Sequence, residues 1–284
     1  MPDSKWREVP KIDFHTHIVL HERPESDLPL NLPDDMLATM DTHHVERAVV
    51  LPINWSEYFP LTPDERTDWL AANNDRQAAL AASSGGRFVA YADLALGDVY
   101  TPQRVATELA RAAGELGLRG LKIHPTDLGI PADDLRLVPV LRQAADLGLP
   151  VMVHSYPSDS GPSFDYSAPH RIARMAVTFP DVTWIIAHLG GVRFPDVIPI
   201  ETYVDISGML LGLCELYGVA FAERLLRRIG LERVLFGTDY PVFAYERYYE
   251  VLDQMHFTDD EIGQLAYRNA AAILRKGDNH DRQR

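Results

Sequence analysis

The chain has 284 residues and a single cysteine, Cys214, so no disulfide can form within it. That excludes a disulfide-stapled scaffold and fits a reducing compartment. There is no run of about 18 apolar residues, so no segment reads as a membrane span. Met1 to Pro10 is polar and charged and lacks the apolar centre that a secretion signal needs. Basic clusters are missing before the last few residues, and the net charge is −14. A surface built to neutralise phosphates has the opposite balance. These absences lead to the expectation of a cytoplasmic protein that takes a small-molecule substrate and binds neither nucleic acid nor membrane. No internal repeat and no low-complexity linker divides the chain.

What is present is a regular alternation. Eight short apolar, β-rich runs recur: Lys11–His17, Arg47–Pro52, Arg87–Leu94, Gly120–His124, Pro150–His154, Thr183–His188, Thr202–Ile206 and Arg233–Thr238. Between them lie segments with helical spacing: Asp34–His43, Thr62–Ala82, Pro102–Leu116, Leu135–Leu147, Pro169–Phe179, Val219–Ile229 and Glu246–Gln254. The Asp34-Asp35 pair reads as the cap of the first of these. The gap from Leu189 to Glu201 is short and offers little helical pattern. Strands alternating with helices imply a parallel sheet. Runs apolar on both faces imply helices on one side and a packed interior on the other. Eight such units suit an α/β fold closed as a (β/α)8 TIM barrel, which typically needs roughly 250 residues. The expectation is one domain over residues 1–276, with a polar, frayed tail at 277–284.

Ionisable residues collect at the carboxyl ends of these runs. His15 and His17 end the first, Lys122 and His124 the fourth, His154 the fifth and His188 the sixth, and Asp239 follows the eighth. A barrel of this type carries its active site at that end. Residues two apart on a strand share a face, so His15 and His17 point together, as do Lys122 and His124. Imidazole and carboxylate are ligands that zinc favours. Each residue also has an ordinary structural explanation, such as a hydrogen-bonded core histidine or, for Asp239 before Tyr240-Pro241, the start of a turn. Their joint placement on successive strand ends is what argues for a site.

The ordered segments D-F-H-T-H, G-L-K-I-H-P, V-M-V-H, A-H-L-G-G and G-T-D-Y-P resemble the amidohydrolase superfamily. Within it the chain is most similar to the amidohydrolase-related branch, which includes aminocarboxymuconate-semialdehyde decarboxylase, resorcylate decarboxylases and pyrone-dicarboxylate lactonase. The segment Y-R-N-A-A-A-I-L resembles the closing helix of that branch. The resemblance implies one divalent metal, zinc before manganese, held by His15, His17, His154 and Asp239. Asp239 and His188 would be the catalytic groups, and a homodimer is implied as well. Some superfamily members carry a carboxylated lysine that bridges two metals. Lys122 and His124 match that region, so a second metal or a substrate contact is the alternative there.

The resemblance leaves two chemistries open. A metal-activated water could hydrolyse an amide, ester or lactone carbonyl, with Asp239 moving the proton and His188 orienting the water. The same centre could instead drive non-oxidative decarboxylation of an aromatic or muconate-type acid. The compact stretch of about thirty residues between His17 and the second strand leans toward hydrolysis. A third possibility is a metal-binding barrel without catalysis, against which the full set of acid–base groups speaks. Substrate contacts are expected from Asn54-Trp55, Tyr58-Phe59, Tyr156 to Tyr166, and Tyr240, Phe243 and Tyr245. Lys122, Arg193 and Arg247 are candidate cations for a carboxylate. His21 and His170 lie near the mouth or in packing, His43 and His44 face solvent or cap the end of the first helix, and His256 and His280 read as surface residues.

Overall fold

The computed structural model of the protein describes residues 4–19, 29–52, 63–156 and 165–281. Eight parallel strands follow the eight runs: β1 (Lys11–Thr16), β2 (Val45–Val50), β3 (Phe88–Ala90), β4 (Leu121–Ile123), β5 (Val151–Val153), β6 (Trp184–Ile186), β7 (Tyr203–Asp205) and β8 (Val234–Leu235). They pair in chain order, β1-β2-β3 in one sheet and β4 to β8 in the other. Backbone hydrogen bonds cross both seams. Ala92 N donates to Gly120 O at 2.8 Å and Lys122 N to Ala92 O at 3.0 Å, joining the end of β3 to β4. Phe14 N donates to Phe236 O and Asp239 N to His15 O, both at 2.8 Å, joining β8 to β1. The circuit of eight strands is thereby complete, as a (β/α)8 barrel requires.

The connecting helices form where the spacing predicts them. They are α2 (Pro33–Thr42), α3 (Pro63–Ser83), α4 (Pro102–Gly114), α5 (Val138–Asp146), α6 (Pro169–Thr178), α8 (Val219–Ile229) and α9 (Tyr245–Leu252). Helices α2, α3, α4 and α6 each begin on a proline. Its fixed φ and missing N–H suit the first helical position. Asp34 and Asp35 fall in the first turn of α2 and do not cap it: the cap residue is Leu32, with no side-chain bond. In α8 the buried residues are Ala222, Leu225, Leu226 and Ile229, an i, i+3, i+4, i+7 stripe. The helix α7 (Met209–Tyr217) was not expected. It is apolar almost all round and buries Met209, Leu210, Leu211, Leu213 and Cys214, so it lacks the polar face that marks a surface helix. Two short helices, α1 (Lys5–Glu8) and α10 (Asp259–Gly263), add to this. The last helix, α11 (Asn269–Asp281), carries the polar segment from residue 277 onward to Asp281, where the sequence points to a frayed tail.

The strands separate two apolar layers. Val50, Ala90, Leu121, Ile123, Val151, Val153, Ile186, Val204 and Val234 pack with the helices. Phe14, Val49, Leu51, Tyr91, Met152, Ile185 and Leu235 form the second layer, joined by Ala270, Ala271, Ile273 and Leu274 of α11. Lys122 pairs in register with Met152 and so takes the parity of that second layer. Among the described residues no helix is long and apolar enough to cross a membrane.

Candidate metal centre

The carboxyl ends of β1, β5, β6, β7 and β8 bring their polar residues together. β1 advances three residues from Asp13 to Thr16 while β2 advances two, from Ala48 to Val50. This bulge sits where His15 and His17 leave the strand, a place where bulges re-aim side chains. The two imidazole rings lie 5.3 Å apart. Asp239 Oδ1 stands 3.1 Å from His17 Nε2 and 3.5 Å from His15 Nε2. The ligand atoms of His15, His17 and Asp239 all lie within 4.8 Å of one another. Gly237 makes room for this approach: a Cβ there would meet His15 Cβ at 3.0 Å and Asp205 Cβ at 3.4 Å. Asp239 itself takes a left-handed backbone, φ 62°.

A second trio, His15, His188 and Asp205, shares His15 with the first. Asp205 ends β7 and is fully buried. Its Oδ2 accepts from His15 Nδ1 at 2.9 Å. Its Oδ1 accepts from the backbone N–H of His188 at 3.0 Å and of Ser207 at 2.9 Å, and from the Ser207 hydroxyl. His188 Nδ1 lies 3.2 Å from Ser207 O and 2.9 Å from Ser207 Oγ. His154 belongs to neither trio. It joins the cluster through His188, Nδ1 to Nε2 at 3.1 Å, and stacks on His124 with ring centres 3.8 Å apart. His124 is paired with Asp127 at 2.9 Å. Lys122 is 4 % exposed, and its Nζ has no hydrogen-bond partner among the described residues.

These partners assign the tautomers. His15 donates from Nδ1 to a carboxylate, His17 from Nδ1 to Leu51 O at 3.1 Å, and His188 from Nδ1 to Ser207. The Nε2 of His188 is then an acceptor, and His154 must donate to it from Nδ1. The result is that His15, His17 and His154 each keep an Nε2 lone pair. Burial, first of all, holds His15 down to about 3, with the Lys122 ammonium adding to the effect. Burial likewise pushes His154 well below, and His188 below, the ordinary imidazole range. Burial works to raise Asp239, but the neighbouring imidazoles, His17 first and then His15 and His188, outweigh it and hold the carboxyl below the usual range. Neutral imidazole nitrogens and an ionised carboxylate are what a metal needs. Electron-pair donors on His15, His17 and Asp239 facing one another need a cation between them, so the residues fit a divalent metal.

Other expected contacts resolve differently. Arg193 is engaged by Asp165 at 3.1 Å and Asp196 at 2.7 Å. Arg247 lies over the Phe243 ring at 5.5 Å. Tyr245 is fully buried and does not line the rim; it stacks, ring centres 4.8 Å apart, on His43, which stands at the C-cap of α2, one of its two expected places, and is buried there. The apolar face of α9 draws both inward. Tyr156 is partly exposed and stands edge-on to His188 at 6.2 Å. His44 and His256 are exposed, and half-exposed His170 faces Asp165 at 3.6 Å. Asn54, Trp55, Tyr58, Phe59, His21 and residues 157–164 lie outside the described residues. Sequence reasoning missed Asp205 and Ser207. The available signal was a lone acid in an otherwise apolar run, T-Y-V-D-I, at the same strand-end position as the others.

None of the curated proteins matches the chain in sequence. Among solved structures, it is similar to 5-carboxyvanillate decarboxylase from Sphingomonas paucimobilis, at 17% identity and TM-score 0.72, covering 94% of this chain and 99% of that one. It is similar to 2,6-dihydroxybenzoate decarboxylase from Rhizobium, at 19% identity and TM-score 0.73, covering 94% and 98%. It is also similar to a dihydroxybenzoic acid decarboxylase from a Polaromonas species with bound manganese and the inhibitor 2-nitroresorcinol, at 17% identity and TM-score 0.72, covering 94% and 97%. At these identities the likeness speaks for the barrel. The amidohydrolase family model matches residues 12–276, nearly the whole barrel. The chain belongs to the amidohydrolase family.

Proposed function

We propose that this protein is a metal-dependent decarboxylase of a small, planar, hydroxylated carboxylic acid. The observation that carries the reading is Lys122: a buried ammonium, without a hydrogen-bond partner among the described residues, close enough to the histidine–aspartate cluster to shift its titration. An anionic substrate with a carboxylate would answer it. The named activities of the similar barrels, decarboxylation of dihydroxybenzoate and carboxyvanillate, support the same choice. His15, His17, His154 and Asp239 would hold the divalent metal, manganese or zinc. When bound, such an ion supplies Lewis acidity toward substrate oxygens.

The chain's own groups supply the rest. Lys122 orients the acid by charge. His188, its Nε2 3.1 Å from His154 Nδ1, would be the group that carries the proton to the carbon that loses CO2. Tyr156, Tyr240 and Phe243 offer aromatic faces to a flat ring. Hydrolysis of an ester, lactone or amide is the second reading, favoured by the compact stretch between His17 and β2. It asks Asp239 to act as a base, and a carboxylate held below its usual range is a weak one.

The test is to incubate the manganese- and zinc-loaded protein with hydroxybenzoates, aryl esters and lactones, following CO2 release and hydrolysis separately. CO2 release from a hydroxybenzoate is the expected result. Hydrolysis without CO2 release would overturn the proposal.

A further inference from the structure

We propose that Asp205 and Ser207 are a positioning pair that sets the tautomer and orientation of His15 and His188 together. This rests on the reading of His15 as a metal ligand. The pair sits at and just beyond the end of β7 and takes no part in the ligand set proposed above.

The geometry carries the inference. Asp205 is fully buried and each of its oxygens is engaged. Oδ2 receives the Nδ1 proton of His15, which leaves Nε2 of that ring bare on the side of Asp239. Oδ1 receives three donors: His188 N, Ser207 N and Ser207 Oγ. The Ser207 hydroxyl has one proton, and Asp205 takes it. Its lone pairs are therefore the side presented to His188 Nδ1 at 2.9 Å and His15 Nδ1 at 3.1 Å.

A second observation points the same way. His188 and Leu189 have φ of 55° and 51°, followed by Gly190 at 79°. Successive left-handed residues other than glycine are strained and persist only where the surroundings hold them. The Asp205 bond to His188 N is one such hold. One carboxylate thus fixes a ring on β1 and both the backbone and, through Ser207, the ring of His188, two residues past the end of β6.

The consequence of Asp205→Asn follows from the donors. Three donors converge on the Oδ1 position, so the amide oxygen must sit there and the amide NH2 must face His15 Nδ1. His15 then carries its proton on Nε2, the nitrogen that faces Asp239. A group that orients a metal-binding histidine typically contributes about 10–100-fold to metal affinity or activity.

The experiment combines manganese and zinc titration calorimetry with histidine 15N NMR on the full chain, wild type, Asp205→Asn and Ser207→Ala. The expected result is a protonated Nδ1 on His15 in the wild type, with and without metal. In Asp205→Asn that proton moves to Nε2 and metal affinity falls about 10–100-fold. In Ser207→Ala, His15 keeps Asp205 and metal affinity stays within about threefold, while kcat falls about tenfold at unchanged KM. Wild-type His15 protonated at Nε2, or an Asp205→Asn variant with unchanged affinity and tautomer, would overturn the proposal. So would X-ray absorption of the zinc-loaded proteins showing that Asp205→Asn removes a directly bound oxygen. If the wild type binds neither metal, the metal reading falls by itself. The pair is then judged by the tautomer switch: present, it stands; absent, it falls. Should Asp205→Asn fail to fold, the wild-type spectrum and Ser207→Ala decide.

Discussion

His154 Nδ1 lies 3.1 Å from His188 Nε2, and the proton between them belongs to His154 because the Nδ1 proton of His188 is committed to Ser207. The two rings therefore have different duties. His154 keeps Nε2 free for a metal, and His188 presents an acceptor to its neighbour.

That difference is measurable. His188→Ala should retain bound manganese or zinc, by elemental analysis, and lose about 10²–10⁴-fold in kcat, the range for removing a positioned acid–base group. His154→Ala should lose metal and activity together. Chelator treatment of the wild type should abolish turnover, with recovery on adding metal back.

Lys122 gives a pH prediction. Burial lowers its ammonium to about 8, while Asp205 and Asp239 pull the other way. The cation is present below that value and is lost as pH rises through it. The kcat/KM for a carboxylate substrate should thus fall above pH about 8. Lys122→Met should raise KM and flatten that alkaline limb. An identical limb in the variant would assign it to another group.

Arg193 should behave oppositely, because Asp165 and Asp196 already engage it. Its partners are more than a third exposed and screened by water, where such pairs contribute little. Arg193→Ala should change KM by less than about threefold and leave the pH profile as it is. A large rise in KM would bring Arg193 back as the substrate's cation.

Gly237→Ala tests how tightly the centre is built. The added methyl would press on His15 Cβ at 3.0 Å, with Asp205 Cβ next at 3.4 Å. Overpacking of this kind costs about 1–3 kcal/mol, read from denaturant midpoints. Metal affinity should fall as well, since the displaced atom belongs to a ligand.

Much of the fold was legible because periodicity is a local property. Seven of the eight apolar runs contain their strand, β2 starts two residues ahead of its run, and α4 and α6 begin on the prolines that open their segments. Helix α7 escaped because a helix that is apolar almost all round has no amphipathic signature. Asp34 and Asp35 misled because a capping residue type does not guarantee a capping position. Within the site, His15, His17, His154, His188, Lys122 and Asp239 were legible as polar groups at strand ends. Asp205 was not singled out, because one acid in an apolar strand is chemically silent until its partners are known.

The sequence by itself determined the alternation of strand and helix, and with it a barrel whose ionisable residues meet at one rim. Only the tertiary structure decided who touches whom. Residues as far apart as His15 and Asp205 meet because closure of the barrel through the β8–β1 seam brings them face to face. That contact fixes which nitrogen of His15 carries its proton. The set of such contacts leaves a bare Nε2 on His15, His17 and His154 and an accepting one on His188, a distinction that hydrogen-bond geometry sets and residue type alone does not.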